Sequence, residues 1–309
     1  MYPFIQTRKI WLSISGVLVA LSIVALFVWG LNFGIDFTGG SLLEVRFLGE
    51  RPAVNDVQVA LADLDLGSLT VQPIDEKNMI IRFKETSEDK HVEAIKRLNG
   101  IGKNEADEKE KTENAQNNVE ELRFDSVGPS IGQELKSKSF WAIIIVLIAI
   151  VLFIAWTFSK VSKPVASWKY GVAATVALFH DVIITLGVFA VLGHFYNMEI
   201  NTPFVAAILT LLGYSVNDTI VVFDRIRENL PKSHEDFENT VNTSINQTWG
   251  RSINTSMTVI LALVAIIIFG GSTIRDFVLA LTIGVFVGTY SSIFVASPII
   301  VIWEKFKKD

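Results

Sequence analysis

The sequence predicts a polytopic α-helical membrane protein of six transmembrane helices. One extracytoplasmic α+β domain of ferredoxin-like (βαββαβ) order is inserted after the first helix. Three observations predict it. Half of the 309 residues are hydrophobic, beyond the usual range of a soluble domain. The apolar residues gather into six long stretches. Residues 33–138 break that pattern with charged sequence whose apolar positions alternate or recur at helical spacing. The expected divisions are 1–32 (N-terminus and first span), 33–138 (the inserted domain), 139–304 (five further spans) and 305–309 (tail).

Ile10–Leu31 is long enough to cross, since about 20 residues span a hydrocarbon core of about 30 Å. It is longer than the apolar region of a cleavable signal peptide, and no A-x-A-like site follows, so it is expected to be retained. Asn32–Ser41, NFGIDFTGGS, places Asp36 between aromatics and ends in Gly39-Gly40. A glycine-rich turn can cradle phosphate, but neither GxxxxGK[ST] nor GxGxxG is present. The segment reads as a tight exit from membrane to domain, with Gly39 and Gly40 supplying unusual dihedrals.

Leu43, Val45 and Phe47 alternate with Glu44 and Arg46, a half-buried strand. Val54, Val57, Leu61 and Leu64 fall on one helical face. Leu69–Ile74 and Met79–Phe83 alternate again around a turn at Asp75-Glu76-Lys77. Thr86–Leu98 predicts a helix with Val92, Ile95 and Leu98 inward and Thr86 or Ser87 as cap. Val119–Val127 is a last strand. The β-α-β-β-α-β order fits a small sheet with helices on one face. Gly100–Asn118 is polar and highly charged, as in a solvated excursion. Across 33–138 there are 21 acidic against 14 basic residues, so no basic face for nucleic acid is expected.

The remaining spans are expected at Phe140–Phe158, Tyr170–Leu192, Pro203–Phe223, a fifth ending near Gly270-Gly271, and Phe277–Trp303. Ser272–Asp276 reads as a tight turn. Asp224–Arg251 reads as a polar loop with an amphipathic helix near Glu235–Gln247. Lys and Arg cluster in the N-terminus, the second–third loop (Lys160, Lys163, Lys169), the fourth–fifth loop and the tail (Lys305, Lys307, Lys308). The other short loops are nearly free of them. The positive-inside rule places both termini in the cytoplasm and residues 33–138 outside it.

Polar groups inside the spans are the functional candidates. A carboxylate at the centre of a membrane helix costs about 2.5–3.5 kcal/mol on insertion scales. Asp218 sits beside Asn217, roughly 7–8 Å to the cytoplasmic side of mid-membrane at 1.5 Å per residue. Ser215 and Tyr214 make its face polar. The fifth span has too short an apolar run to cross unless its helix extends back to Arg251. Arg251, Asn254, Thr255 and Thr258 then form one polar stripe, expected to face the bundle. Arg251 reads either as a partner for Asp218 or as a snorkelling anchor. His180-Asp181 in the third span reads as a proton relay or as a helix-packing staple. Asp224, Arg225, Arg227 and Glu228 read as a solvated helix exit. Gly284 and Gly288, extended by Ala280 and Ser292, form a close-packing stripe. The chain has no cysteine, and its four histidines lack ligand spacing, so no metal or other cofactor is expected.

GLNFGIDFTGGSLLEV, VGPSIGQEL, HDVIITLG, NDTIVVFDRIRE and NQTWGRSINTS together resemble the SecD/SecF family of protein-export membrane subunits, on its SecF side, within the RND superfamily. The resemblance covers essentially the whole chain. It implies a bacterial cytoplasmic-membrane protein, not an enzyme, that uses the proton motive force. Its implied partners are SecD, which supplies six further helices, the SecYEG translocon, translocating preprotein and the lipid bilayer. It also implies that Asp218 and Arg251 lie on the proton pathway and that Asp36, Gly39 and Gly40 lie at the domain–membrane junction. Rival readings are half of an RND-type small-molecule or lipid exporter and a non-conducting translocon scaffold.

Overall fold

The structure, a computed structural model, describes residues 1–101, 118–158 and 167–305. Most of the polar excursion at 100–118, the loop lysines Lys160 and Lys163, and Lys307 and Lys308 lie outside the described residues. The chain divides into two units, Phe33–Lys138 and a second formed by Met1–Asn32 with Ser139–Asp309.

The first unit is built on an antiparallel sheet of β1 (Gly40–Phe47), β2 (Thr70–Pro73), β3 (Asn78–Phe83) and β4 (Val119–Val127), in the order β2-β3-β1-β4. The order is compatible with the expected βαββαβ arrangement. A one-turn helix, α2 (Ile35–Thr38), precedes β1. Helices α3 (Val54–Leu61) and α4 (Glu88–Gly100) cross between strands. Period-2 alternation sends Leu43, Val45, Met79 and Ile81 inward, where they bury against Val57, Leu61, Ala94 and Leu98. Two local expectations need correcting. Val92 is exposed and His91 takes the inward place, because its ring stacks on Phe124 of β4 at 3.8 Å and both ring nitrogens meet carboxylates. Ser87 stands at the N-cap of α4 but its side chain makes no capping bond.

Among the described residues six helices are long and apolar enough to cross a membrane. They are α1 (Arg8–Trp29), α5 (Pro129–Thr157), α6 (Ser167–Tyr196), α7 (Thr202–Asn229), α8 (Phe237–Phe269), and a last one made of α9 (Ser272–Ser291), a π-helical turn (Ser292–Ala296) and α10 (Ser297–Lys305). No separate amphipathic helix precedes the fifth span. Residues 237–269 form one helix, capped by Asp236, whose side chain accepts from the Asn239 amide at 2.9 Å. Nor is there a turn at Ser272–Asp276. Gly270 and Gly271 complete the reversal and α9 starts at once. Both differences have one cause: polar residues near a span's end remain compatible with helix when a neighbouring helix or water satisfies them.

Packing in the bundle follows small residues. Ser22 of α1 lies against Gly187 of α6, where a Cβ would sit 2.3 Å from that of Ser22. The Gly284 and Gly288 stripe on α9 meets Leu211 and Ser215 of α7, as the spacing predicts. Small residues let helices approach closely enough for dispersion to hold them. The N-terminal segment docks on the start of α8: the Ile5 amide donates to Asn242 Oδ1 at 3.1 Å, and Asn242 Nδ2 donates to the Tyr2 carbonyl at 3.1 Å. Glu238 joins this corner by ion pairs to Arg8 and to Lys305, the latter at 2.5 Å.

Candidate functional site

Asp218 is buried on the inner face of α7, in line with Ser215 and Val222. Its Oδ2 accepts a hydrogen bond from Ser292 Oγ at 2.8 Å. Ser292 opens the π-helical turn of the last span. Ser252 of α8, also buried, borders the same carboxylate.

A second carboxylate lies on α6. Asp181 is fully buried (0% exposed). His180 Nδ1 is 2.9 Å from its Oδ1. Its Oδ2 accepts from Ser215 Oγ of α7 at 2.5 Å and from Ser291 Oγ of α9 at 2.8 Å. Among the described residues neither carboxylate is paired with a lysine or arginine. Hydroxyls and one imidazole supply the donors. Such a site holds a carboxylate without locking it in the charged form, because a hydroxyl can donate to the anion or accept from the acid. A polar staple beside it joins three helices: Tyr214 OH donates to Ser256 Oγ at 3.0 Å, and Ser256 lies 2.6 Å from Thr289 Oγ1.

The third-span pair and Asp218 are thus brought into one polar core, and Ala174, Ala177 and Thr185 are buried around Asp181. The expected inward stripe on α8 is not. Arg251, Asn254, Thr255 and Thr258 are exposed, as is Asn217 of α7. The inward face of α8 carries Ser244, Thr248, Ser252 and Ser256 instead. Two polar stripes run along this helix, and span length alone does not say which one turns inward. Of the hydroxyl donors, Ser215 is expected on the polar face of Asp218 and Ser292 only as a packing position, while Ser291 is passed over by sequence reasoning. The signal for the last two is a serine pair inside an apolar run, YSSIF.

Asp224, Arg225, Arg227 and Glu228 form local pairs at the end of α7, Arg225–Glu228 at 2.8 Å and Arg227–Asp224 at 2.6 Å, the solvated cluster expected there. In the sheet unit, Asp36 lies on α2, and Gly39 and Gly40 have φ of 76° and 125°. A Cβ on Gly39 would come within 2.7 Å of the Pro129 Cα, and a Cβ on Gly132 would lie 3.0 Å from the Gly39 amide nitrogen. GIDFTGG and VGPSIGQ are therefore two halves of one tight contact.

A six-span bundle with a polar, carboxylate-bearing core and an inserted antiparallel sheet defines a multi-pass membrane protein with ionisable groups inside its spans, the setting in which ion and substrate pathways are found. Residues 107–306 match the family described as protein export membrane protein SecD/SecF, C-terminal, and residues 24–47 match the SecD/SecF GG motif. The chain belongs to the SecD/SecF family, on its SecF side. It is 42% identical to protein translocase subunit SecF of Thermobaculum terrenum, over 98% of this chain and 94% of that one. It is 39% identical to the subunit of the same name from Desulfurispirillum indicum, over 98% and 91%. A crystal structure of SecDF from Thermus thermophilus, called a translocon-associated membrane protein, superposes with a TM-score of 0.80 at 32% identity. A SecDF structure in a super-membrane-facing form gives 0.67 at 33%. This chain covers 98% and 99% of its own length in those matches and 39% of each SecDF chain.

Proposed function

We propose that this chain is the SecF-side subunit of a complex with SecD that uses the proton motive force to assist preprotein translocation at the SecYEG channel. Protons are the coupling ion, with no other cofactor. Both termini lie in the cytoplasm and residues 33–138 outside it, in keeping with the lysine and arginine bias of the loops. The observation that carries the reading is Asp218, a buried carboxylate held by a serine hydroxyl at 2.8 Å and free of any cation among the described residues. Loading a proton there removes a charge from a low-dielectric core and reverses the hydrogen bond to the serine, which changes the packing balance of the helices that share it. One proton moved across 100 mV supplies about 2.3 kcal/mol, enough to shift a two-state bundle. SecD as partner is supported by the SecDF relatives, in which this chain's counterpart is 39% of the length. Arg251 and its stripe take the partner-facing side of the pathway, since they are exposed in the isolated chain.

The test is Asp218→Asn, an isosteric change that cannot ionise. In inverted vesicles holding this chain and SecD, the variant should assemble normally and lose the proton-dependent part of preprotein export. Normal export by an assembled Asp218→Asn complex refutes the proposal and leaves the scaffold reading.

A further inference from the structure

We infer that His180 and Asp181 form a second proton-holding station, and that Ser291 and Ser292 are positioning residues that couple it to Asp218. The inference rests on the reading of Asp218 as a proton-loading group.

Three features of the geometry lead to it. First, consecutive residues on a helix point about 100° apart, so Ser291 and Ser292 serve two different helices. Ser291 donates to Asp181 on α6 at 2.8 Å and Ser292 to Asp218 on α7 at 2.8 Å. They sit where α9 passes into the π-helical turn, an irregularity that recurs at functional sites. Second, each serine has an alternative acceptor within reach. Ser291 Oγ is 3.1 Å from the Gly288 carbonyl, and Ser292 Oγ is 2.9 Å from the Thr289 carbonyl. A hydroxyl carries one hydrogen, so each serine points either at its carboxylate or back at its own helix. Third, His180 is nine-tenths or more buried, and its Nε2 has no hydrogen-bond partner among the described residues. A ring that donates from Nδ1 to Asp181 leaves Nε2 as a bare acceptor facing the core. A buried ring nitrogen left without a partner calls for an explanation, and a proton-holding role supplies one.

The proton balance is simple. When Asp218 takes a proton, its O–H donates to Ser292 Oγ, and the serine hydrogen turns to the Thr289 carbonyl; no bond within the serine breaks. At the second station the unloaded state is a neutral His180 donating from Nδ1 to the Asp181 carboxylate, and the proton taken up resides either on His180 Nε2, giving imidazolium and carboxylate, or on Asp181, giving two neutral groups. Ser215 ties the stations again, since it donates to Asp181 from a position one turn before Asp218. The other titratable groups on the surrounding elements are few. Tyr290 of α9 stacks on His180 at 6.1 Å and its OH meets Ser15 of α1 at 3.0 Å. Tyr214 of α7 is turned toward Ser256 of α8.

The experiment is pH-dependent infrared difference spectroscopy on the full chain with SecD in lipid nanodiscs, with carbon-13-labelled aspartate to mark buried carboxylic C=O bands. Two buried bands should titrate. Asp218→Asn removes one and Asp181→Asn the other. Ser291→Ala should displace the Asp181 midpoint, and Ser292→Ala that of Asp218, each by about tenfold or more in proton affinity, the scale of one hydrogen bond to a charged group. Ser291→Ala should also move the Asp218 midpoint. His180→Gln, which keeps a donor in place of the ring, should move the Asp181 band most and serves if Asp181→Asn does not assemble. An Asp181 band that stays constant across the pH range, or ignores both Ser291→Ala and His180→Gln, overturns the inference. An Asp218 band that never titrates, beside an Asp181 band that does, sinks the proton-loading reading alone.

Discussion

In the sheet unit Leu43, Val45, Met79 and Ile81 are wholly buried, while ionic side chains such as Lys96 and Glu93 pair at the surface, 3.7 Å apart. In the bundle large side chains such as Phe158, Tyr170 and Phe223 are buried too, but on α1 the pattern turns over. There Ser15, Ser22 and Ala25 are buried, while Leu21, Val24 and Phe27 are exposed, Phe27 at 88%. The carboxylates lie inside and meet hydroxyls. The difference follows from the surrounding solvent. Water drives large apolar groups inward. Lipid tails are as apolar as leucine, so in a membrane close packing of small residues and internal hydrogen bonds decide which face turns in.

The largest break in that comparison is expected at Gly187→Leu. The new Cβ would lie 2.3 Å from the Ser22 Cβ and 2.6 Å from its Cα, and no rotamer relieves a clash with backbone. α1 then separates from α6, a loss in the range of about 4 kcal/mol or more reserved for gross misfit. Detergent-extracted protein should lose its monodisperse peak on size exclusion. A pair of leucine truncations sharpens the contrast. Leu43→Ala should cost about 2–5 kcal/mol through a core cavity, read as faster amide exchange in β1 and β3 of the full chain. Leu21→Ala, at a 60% exposed position, should stay within about 0.5 kcal/mol. Equal costs for the two would mean that α1 buries its large residues after all.

How much of this was legible follows from the same contrast. In the sheet unit period-2 alternation marks the strands, and the turn residues at 75–77 stand between β2 and β3. Six spans follow from length and hydropathy alone. The inward faces of the spans were harder. GxxxG spacing identified the α9 face, because steric fit needs small residues at four-residue steps. On α8 the sequence holds a stripe with Arg251 and another with Ser252 and Ser256, and only packing shows that the second turns inward. The same limit hid Ser291 and the donor role of Ser292, since a hydroxyl in a membrane helix can satisfy itself on its own backbone. On α4 Val92 outranked His91 on hydrophobicity. The histidine's partners come from a strand thirty residues away, which local periodicity cannot register.

His91 tests the next level down. Both its nitrogens lie 3.1 Å from carboxylate oxygens, Glu88 on one side and Glu121 on the other. Both bonds form together when the ring carries two N–H groups. His91→Gln cannot reach both carboxylates and also loses the stack on Phe124. A loss of about 1–3 kcal/mol is expected, the scale of a buried hydrogen-bonded group left unmatched. Amide exchange at the α4–β4 contact is the readout, with Lys96→Gln as the surface control expected to change little.

The smallest effect belongs to the β2–β3 turn. Asp75 Oδ1 accepts from the backbone amides of Lys77 at 2.8 Å and Asn78 at 2.7 Å. The Lys77 amide, chiefly, with Asn78 and the charge of Arg46, holds the carboxyl below its ordinary value near 3.8. A group whose folded value is lowered stabilises the fold above its unfolded value and loses that contribution as pH falls through the folded one. The turn should therefore keep its full contribution at neutral pH and weaken only on acidification below about pH 4. Asp75 is exposed, so solvent screening limits the effect to under about 1 kcal/mol. Asp75→Asn should remove most of the pH dependence of amide exchange at Lys77 and Asn78 while the core amides of β3 hold. A turn that instead tightens on acidification would mean that the carboxylate is a repulsive group there, and that the surface pairs of the sheet unit obey a rule closer to the bundle's neutral hydroxyl bonding.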